Sequence, residues 1–503
     1  MKLSELLYAA GLAPESPFSD CEITEVVTDS RRAGYGCLFV CLSGTVADGH
    51  AYVKQALIKG ASCVVVESGI PADLPPYHNK VNIVYCSNTR LAAAKLYSAW
   101  YGDPAKKLRL IAVTGTNGKT SVTVMLKAIF EAAYYKCGII GTVACYSGRR
   151  RILASPDDPL ANMTTPDPRQ LYRMLAFMAA DRVDYVFIEA SSHALKLYKL
   201  DAIEFECGIF TNLTTDHLDF HGTMEDYLAS KLRLFNLCKC GLINADSPYF
   251  ESVKREAEKH CSIKSFSALG RGADFRVEDL SYNGANGINY TLISKNTVVK
   301  IKSPIPGEFT VDNTLCAASC ALMMGIPATT IRAGIGSLFG VDGRVERLKT
   351  GCDAKFSIFI DYAHTPDALE RLLQSFRGML RGDGRLILLF GCGGDRDRTK
   401  RAAMGRIASR LADRCIITSD NSRSEQAKNI IADIMSGFDR ECPFDIVEDR
   451  RLAIELAVKT AREGDIIILA GKGHEGYEID QMGRHEFNEK IIAVEAVKKY
   501  CKK

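Results

Sequence analysis

Residues 108–121 read LRLIAVTGTNGKTS and gather the residue types that handle phosphate. Leu108 to Val113 is short, apolar and partly β-branched, which predicts a buried strand. Gly115, Thr116, Asn117, Gly118, Lys119, Thr120 and Ser121 follow without a break, and VTVMLKAIFEAAYY then carries apolar residues at helical spacing. In a strand–turn–helix context, glycines let backbone N–H groups turn toward phosphate oxygens, and the helix N-terminus adds partial positive charge. Lys119 adds a full charge, and Thr120 or Ser121 offers a hydroxyl to Mg²⁺. The common phosphate loop would put its first glycine at Val113; here it is Gly115, so the loop is shorter.

Other positions carry chemistry of the same kind. Glu189 ends the strand-like run YVFIE, where a carboxylate suits a magnesium ion. TTDHLDFHG, residues 214–222, packs Asp216, His217, Asp219 and His221 together. His217 and His221 stand four apart, a zinc spacing on a helix. No general-base Glu lies between them, so a role beside Mg²⁺ and phosphate is the expectation. Lys231, among Leu228, Leu232 and Leu234, reads from spacing alone as a snorkelling lysine. Arg344 in VDGRVER is placed to reach a γ-phosphate, and His364 in DYAHTPDAL either stacks on a base or caps the next helix. GCGGDRDRTKR (391–401), TSDNSRSE (418–425) and GKGHE (471–475) each follow a strand. The first gathers Arg396, Arg398, Lys400 and Arg401, which suits a carboxylate, and the three loops together predict a pocket for a second substrate.

The elements that must position these residues form three units. Residues 1–105 read as a small α/β unit ending at Gly102-Asp103-Pro104, a stop signal. Residues 106–344 hold the phosphate loop, with an alternating, turn-rich stretch near 265–305 that predicts an antiparallel insert. Residues 345–503 alternate strand and helix, the signature of a doubly wound parallel sheet with ligands at the strands' carboxyl ends. The net charge of +4 over 503 residues and the lack of any dense basic stretch give no reason to invoke nucleic acid. No run is long and apolar enough for a membrane span, and the N-terminus reads as an amphipathic helix. Eighteen cysteines scattered through apolar runs read as reduced, buried thiols in a cytoplasm.

Taken in order, TDSRRAGYGCLFVCLSGTVADGH, GTNGKTS, IEASSHAL, TTDHLDFHG, GEFTVDN, GRVER, DYAHTPDAL, GCGGDRDR, DNSR and GKGHE resemble the Mur ligases of peptidoglycan synthesis over nearly the whole chain. The resemblance implies an α/β, three-domain architecture: a UDP-substrate domain, a central P-loop ATPase-type parallel sheet and a C-terminal Rossmann-like sheet. It implies an ADP-forming ligation with ATP as substrate and Mg²⁺ as cofactor. The expected substrates are UDP-N-acetylmuramoyl-L-alanyl-D-glutamate and meso-diaminopimelate, and the expected state is a monomer. The same ligation with L-lysine or another diamino acid is one alternative. A P-loop regulatory NTPase is another, but a switch has no need of a third sheet domain with these loops.

Carried over by position, Ser30, Thr45, Val46 and Ala47 would meet the uridine nucleotide, and Thr164, Thr165, Ser191 and Lys199 the muramoyl dipeptide. Lys119 would hold the β- and γ-phosphates, and Thr120, Glu189, His217 and a carbamylated Lys231 would serve Mg²⁺. Asn313 would hold adenine, with Arg344 and Asp361 on the rest of ATP. Arg396, Asp420, Asn421, Ser422, Arg423, Gly471 and Glu475 would bind the amino acid. The chain departs from the family pattern at Thr310, where Asn is usual, at Lys199 in place of Arg, and at Ser422 in place of the Pro of a DNPR loop. Lys119→Ala should lower ligation by about a hundredfold or more, since Lys119 is aimed at the transferring phosphoryl group. Steady-state turnover of a variant with an unchanged thermal melt checks this, and near-normal turnover would refute the phosphate-loop reading.

Overall fold

The computed structural model describes residues 1–13, 19–44, 47–67, 81–143, 145–152, 163–350, 354–380, 382–439 and 441–501. Runs of Val, Ile, Leu and Cys become strands buried on both faces, as parallel sheets require. In the N-terminal lobe Val26–Val27, Leu38–Val40, Cys63–Val66 and Asn82–Tyr85 form a four-stranded parallel sheet in chain order. Leu38, Val40, Cys63 and Val65 face the helices Leu3–Ala9 and Thr89–Trp100, while Phe39, Val64 and Val66 face Val53–Ile58. The first of these cores runs on without a break into the central lobe through Leu110, Ala112, Leu171, Leu175 and Val186. An Arg169–Glu25 ion pair at 2.6 Å crosses the same junction.

The central sheet has eleven strands, with Arg109–Thr114 inside it between Cys207–Phe210 and Tyr185–Glu189. Helices Lys119–Ala132 and Glu308–Met323 cover one face through Val122, Leu126, Ile129, Leu315 and Ala318. The alternating stretch forms the antiparallel strands Phe275–Tyr282, Ile288–Ser294 and Val298–Ser303. It is an extension of the central sheet rather than a separate insert, because Phe275 pairs in parallel register with Phe266. At the opposite end a hairpin, Cys145–Ser147 with Arg150–Ile152, adds two antiparallel strands that the sequence pattern did not reveal.

The C-terminal sheet has six strands, running Glu346–Arg347, Ser357–Asp361, Ile466–Ala470, Leu386–Phe390, Arg414–Ile417 and Phe444–Ile446. Only the first is antiparallel. The chain order reverses beside Ile466–Ala470, so the loops after residues 361, 390, 417 and 470 open at a switch point, where such sheets bind ligands. No disulfide joins the described cysteines, and burial pushes thiols such as Cys41 and Cys392 up to about 12. No described helix is long and apolar enough to cross a membrane.

Arg450 holds the sheet's carboxyl ends together. Fully buried at the head of Arg450–Thr460, it pairs with Glu489 at 2.7 Å and donates to the carbonyls of Ser419 at 2.9 Å and Ala470 at 2.8 Å. Arg450→Met should cost about 3–5 kcal/mol by leaving the Glu489 carboxylate buried and unpaired. In urea unfolding, Arg450→Met/Glu489→Leu should recover a good part of that loss. A double variant as unstable as the single one would mean the ion pair is not the source.

Candidate active site

A cleft of about 260 Å³ opens between the carboxyl ends of the central and C-terminal sheets. The phosphate loop forms one wall. Gly115 has φ 147°, and a Cβ there would lie 1.9 Å from Thr211 Oγ1, so the tight turn admits only glycine. The loop is fastened to the end of the neighbouring strand: Thr116 N donates to Asn212 O at 3.0 Å, Asn117 N to Asn212 Oδ1 at 2.9 Å, and Thr211 Oγ1 to Asn117 O at 2.6 Å. Lys119 Nζ donates to the carbonyls of Gly115 at 2.9 Å and Thr116 at 2.8 Å. Lys231 Nζ donates to the same Gly115 carbonyl at 2.8 Å and lies 4.4 Å from the centre of the Tyr227 ring. Lys231 is 1% exposed, which overturns the snorkelling reading of its helix. Burial holds both amines below their ordinary range, Lys231 far below; Lys119 lowers Lys231 further, while Asp216 pulls both back up and Glu189 pulls up Lys119.

Glu189 sits beside Thr120. Its carboxylate accepts from Thr120 Oγ1 at 2.9 Å, from Thr142 N at 3.0 Å and from Thr142 Oγ1 at 2.9 Å. It is not a helix-capping acid; Ser191 caps the helix Ser192–Lys196. His217 precedes the helix Leu218–His221 with φ 54°, so the two histidines are not a helical i, i+4 pair. The His221 ring is engaged by Ser192 Oγ at 2.9 Å and Asp226 Oδ2 at 3.1 Å. No cluster of three His, Cys, Asp or Glu side chains suited to a metal occurs among the described residues. Magnesium asks for less, since it keeps water and phosphate oxygens and takes one or two protein oxygens. The Thr120 hydroxyl and Glu189 carboxylate meet that need. Burial alone would raise the Asp216 carboxyl, but His217, His364 and Lys119 bring it below its ordinary value.

The far wall belongs to the C-terminal lobe. Arg344 lies over Tyr362, 4.5 Å from the ring centre, and its buried Nε has no hydrogen-bond partner. Asp361 accepts from Val345 N and Ala363 N at 2.8 Å, so it holds the segment bearing Arg344 against its strand. Burial raises the Asp361 carboxyl despite Arg344. Asn313 faces the loop, near Gly118. His364 caps nothing; Thr365 caps the helix, and burial lowers His364 to about 4. Of the dipeptide candidates, Thr164 and Thr165 converge with Ser191 near Glu189: Thr142 Oγ1 donates to Thr164 Oγ1 at 3.0 Å, and Thr165 Oγ1 lies 3.0 Å from Ser191 Oγ. Lys199 is buried against Asp167 at 2.5 Å. Ser30 and Ala47 lie apart from these, in the N-terminal lobe, where Ser30 Oγ donates to Gln55 at 3.2 Å. Thr45 and Val46 fall outside the described residues.

The three glycine-rich loops of the C-terminal sheet do come together. Asn421 donates to Glu475 at 2.7 Å and accepts from Lys472 at 3.0 Å and from Ile479 N at 2.9 Å. Gly471 approaches Asp420 so closely that a Cβ would lie 2.8 Å from its carboxylate. Burial would raise Asp420, but Lys472 and Arg450 pull it down. Glu475 is raised by burial and by Asp420. Arg423 has φ 52° and donates through Nη1 to Gly394 O at 2.7 Å. Arg396 is exposed on the facing loop. Arg401 is not a free cation for substrate: it is fully buried and spent on Glu425 and Asp433. Losing Pro at position 422 does not loosen the loop, because Arg423 N donates to Ile479 O at 3.0 Å and Glu425 N to Ser422 O at 3.0 Å.

This arrangement has relatives along the whole chain. Family models described as Mur ligase family, catalytic domain, Mur ligase middle domain and Mur ligase, glutamate ligase domain match residues 22–110, 113–321 and 343–473. The chain belongs to the Mur ligase family. Two Mur ligases named UDP-N-acetylmuramoyl-L-alanyl-D-glutamate--2,6-diaminopimelate ligase are similar to it. The one from Clostridium botulinum is 40% identical, with 95% of each chain covered, and the one from Syntrophomonas wolfei is 38% identical, with 99% of each covered. A solved structure of a ligase of that name superposes with TM-score 0.68 at 30% identity, covering 96% of each chain. A MurF structure from Acinetobacter baumannii, at TM-score 0.60 and 18% identity over 93% of this chain and 94% of its own, shares the Mur ligase fold.

Sequence reasoning missed Thr142, Asn212 and Lys472. Each had a signal: a polar residue two positions past the end of a strand-like run, in IIGT, CGIFTNL and IIILAGK.

Proposed function

We propose that this chain joins meso-diaminopimelate to UDP-N-acetylmuramoyl-L-alanyl-D-glutamate with hydrolysis of ATP to ADP and phosphate. The γ-phosphoryl group passes to the γ-carboxylate of the D-glutamate, giving an acyl phosphate and ADP. The amine of diaminopimelate attacks the acyl carbon, the tetrahedral intermediate expels phosphate, the nitrogen loses a proton, and the amide remains. The observation that carries this reading is one cleft with a phosphate loop and Lys119 on one wall and Arg344, with its unpartnered Nε, on the other. The names of full-length relatives support the choice of substrates.

Lys119 and Arg344 would take the phosphates, and Asn313 the adenine. Thr120 and Glu189 would hold Mg²⁺ with His217 and a carbamylated Lys231 beside it, and the ion would neutralise charge on the phosphates. Thr164, Thr165 and Ser191 would orient the dipeptide carboxylate toward that charge, and Ser30, Thr45, Val46, Ala47 and Lys199 would bind the rest of the nucleotide-linked substrate. Asp420, Asn421, Gly471 and Glu475 would take the amine end of diaminopimelate. Arg423, with Arg396 behind it, would grip its far carboxylate, a match of planar fork to carboxylate that L-lysine lacks. The protein would act as a monomer in the cytoplasm, with no nucleic-acid or membrane partner.

Phosphate release should require both the UDP-muramoyl dipeptide and the amino acid, and diaminopimelate should win in competition with L-lysine. Arg423→Ala should lose that preference. A wild type that prefers L-lysine, or an Arg423→Ala that keeps its selectivity, refutes the amino-acid assignment. For Lys231, carbamylation turns a buried cation that would repel the metal into an anion. Lys231→Ala should be inactive and partly restored by short carboxylic acids; no rescue, with an intact mass lacking the added CO₂ in wild type, counts against it.

A further inference from the structure

The loops 391–396 and 420–425 are separate in sequence but lie against each other with no slack. A Cβ on Gly394 would fall 1.9 Å from Ser422 O. One carboxylate, that of Glu425, bridges them. It accepts from Arg401 Nη1 at 3.0 Å and Nη2 at 2.9 Å, from Arg398 at 3.0 Å, and from the backbone N of Asp395 at 2.8 Å. Arg401 also donates to Gly393 O at 3.2 Å and to Asp433 at 2.8 Å. The return tie runs from Ser424 to Asp395, with Oγ at 2.6 Å and N at 3.2 Å.

The consequence falls on Arg423. Its Nη1 donates to Gly394 O at 2.7 Å and, at the longer distance of 3.3 Å, to Asn421 O of its own loop, so the direction of its guanidinium depends on where the 391–396 loop lies against its own. Asp395 at φ 51° and Arg423 at φ 52° both hold left-handed backbone that residues other than glycine seldom adopt, which requires outside support. From this geometry we infer that Arg401, acting through Glu425, is a positioning residue for amino-acid selection: it locks the two loops at one separation and so aims Arg423. This rests on Arg423 as the clamp for the far carboxylate. Glu425 stays ionised throughout any assay range, since Arg401 holds it down to about 2.

The test is a double-mutant cycle between Glu425→Gln and Arg423→Ala, with KM and kcat measured for diaminopimelate and KM for ATP. Arg401 keeps Asp433 in Glu425→Gln, so the buried cation is not stranded. That variant should raise the KM for diaminopimelate about tenfold with kcat and the KM for ATP within about twofold, and it should have almost no effect once Arg423 is alanine. Additive effects, or a fall in kcat with both KM values unchanged, would overturn the inference. If Arg423→Ala alone leaves the diaminopimelate KM unchanged, the clamp reading itself fails, and the inference with it. Should Glu425→Gln not give a cooperative thermal melt, Ser424→Ala removes only the exposed hydroxyl tie. Its KM for diaminopimelate should then rise by about threefold, again only in the presence of Arg423; no rise would overturn the inference.

Discussion

Two amines, those of Lys119 and Lys231, converge on a single carbonyl oxygen, that of Gly115. Two full positive charges at such close quarters would repel by several kcal/mol at an intermediate dielectric, and burial with Lys119 holds the Lys231 amine far below its ordinary range. The central lobe is built to hold them there. The turn at Gly115 presents the carbonyl, Thr211 and Asn212 pin the loop from the next strand, and the Tyr227 ring lies against one amine. Glu189 and Asp216 answer the charge from two sides. The crowding disfavours a second positive charge at Lys231 and leaves Lys119 as the cation that a phosphate seated in this loop would meet.

The sequence made some of this readable and hid the rest for definite reasons. A strand, a glycine turn and a helix are local, so LRLIAVTGTNGKTS could be read as a phosphate loop from its own residues. The parallel strands of the C-terminal lobe were equally plain, since IIILA and LILLF are apolar throughout. Lys231 was not, because helical spacing says which residues share a face and not what that face meets. Arg396 and Arg401 are the same residue type five positions apart, yet one is exposed and the other sealed against two carboxylates. Only the packing of Thr399–Leu411 against Ala427–Met435 separates them.

Ser422 shows how a local departure is absorbed. A proline would stiffen that loop from within by fixing φ. Here the stiffness comes from outside: the hairpin strand Tyr477–Asp480 offers Ile479 N to Asn421 and Ile479 O to Arg423, as one more strand edge would. The hairpin, YEID and GRHE around Gln481-Met482, lies more than fifty residues away in sequence from the loop it supports. A four-residue motif therefore understates what fixes its own conformation.

The N-terminal and central lobes share one apolar core, whereas the C-terminal lobe has its own two cores, with Phe309 of the central lobe packed against one of them and polar pairs beside it. Asn117 touches Asp367 at 3.1 Å, and Glu308 N touches Ser375 at 3.3 Å. The first joint is held chiefly by the hydrophobic effect, with the Arg169–Glu25 ion pair beside it; the second includes dipoles and charges that ions screen. The first two lobes thus share a continuous core, while the third is tied to the phosphate-loop side by polar contacts beside Phe309. A charge arriving among the C-terminal loops would therefore be felt across those polar contacts, in the same medium that carries the phosphates' own charge.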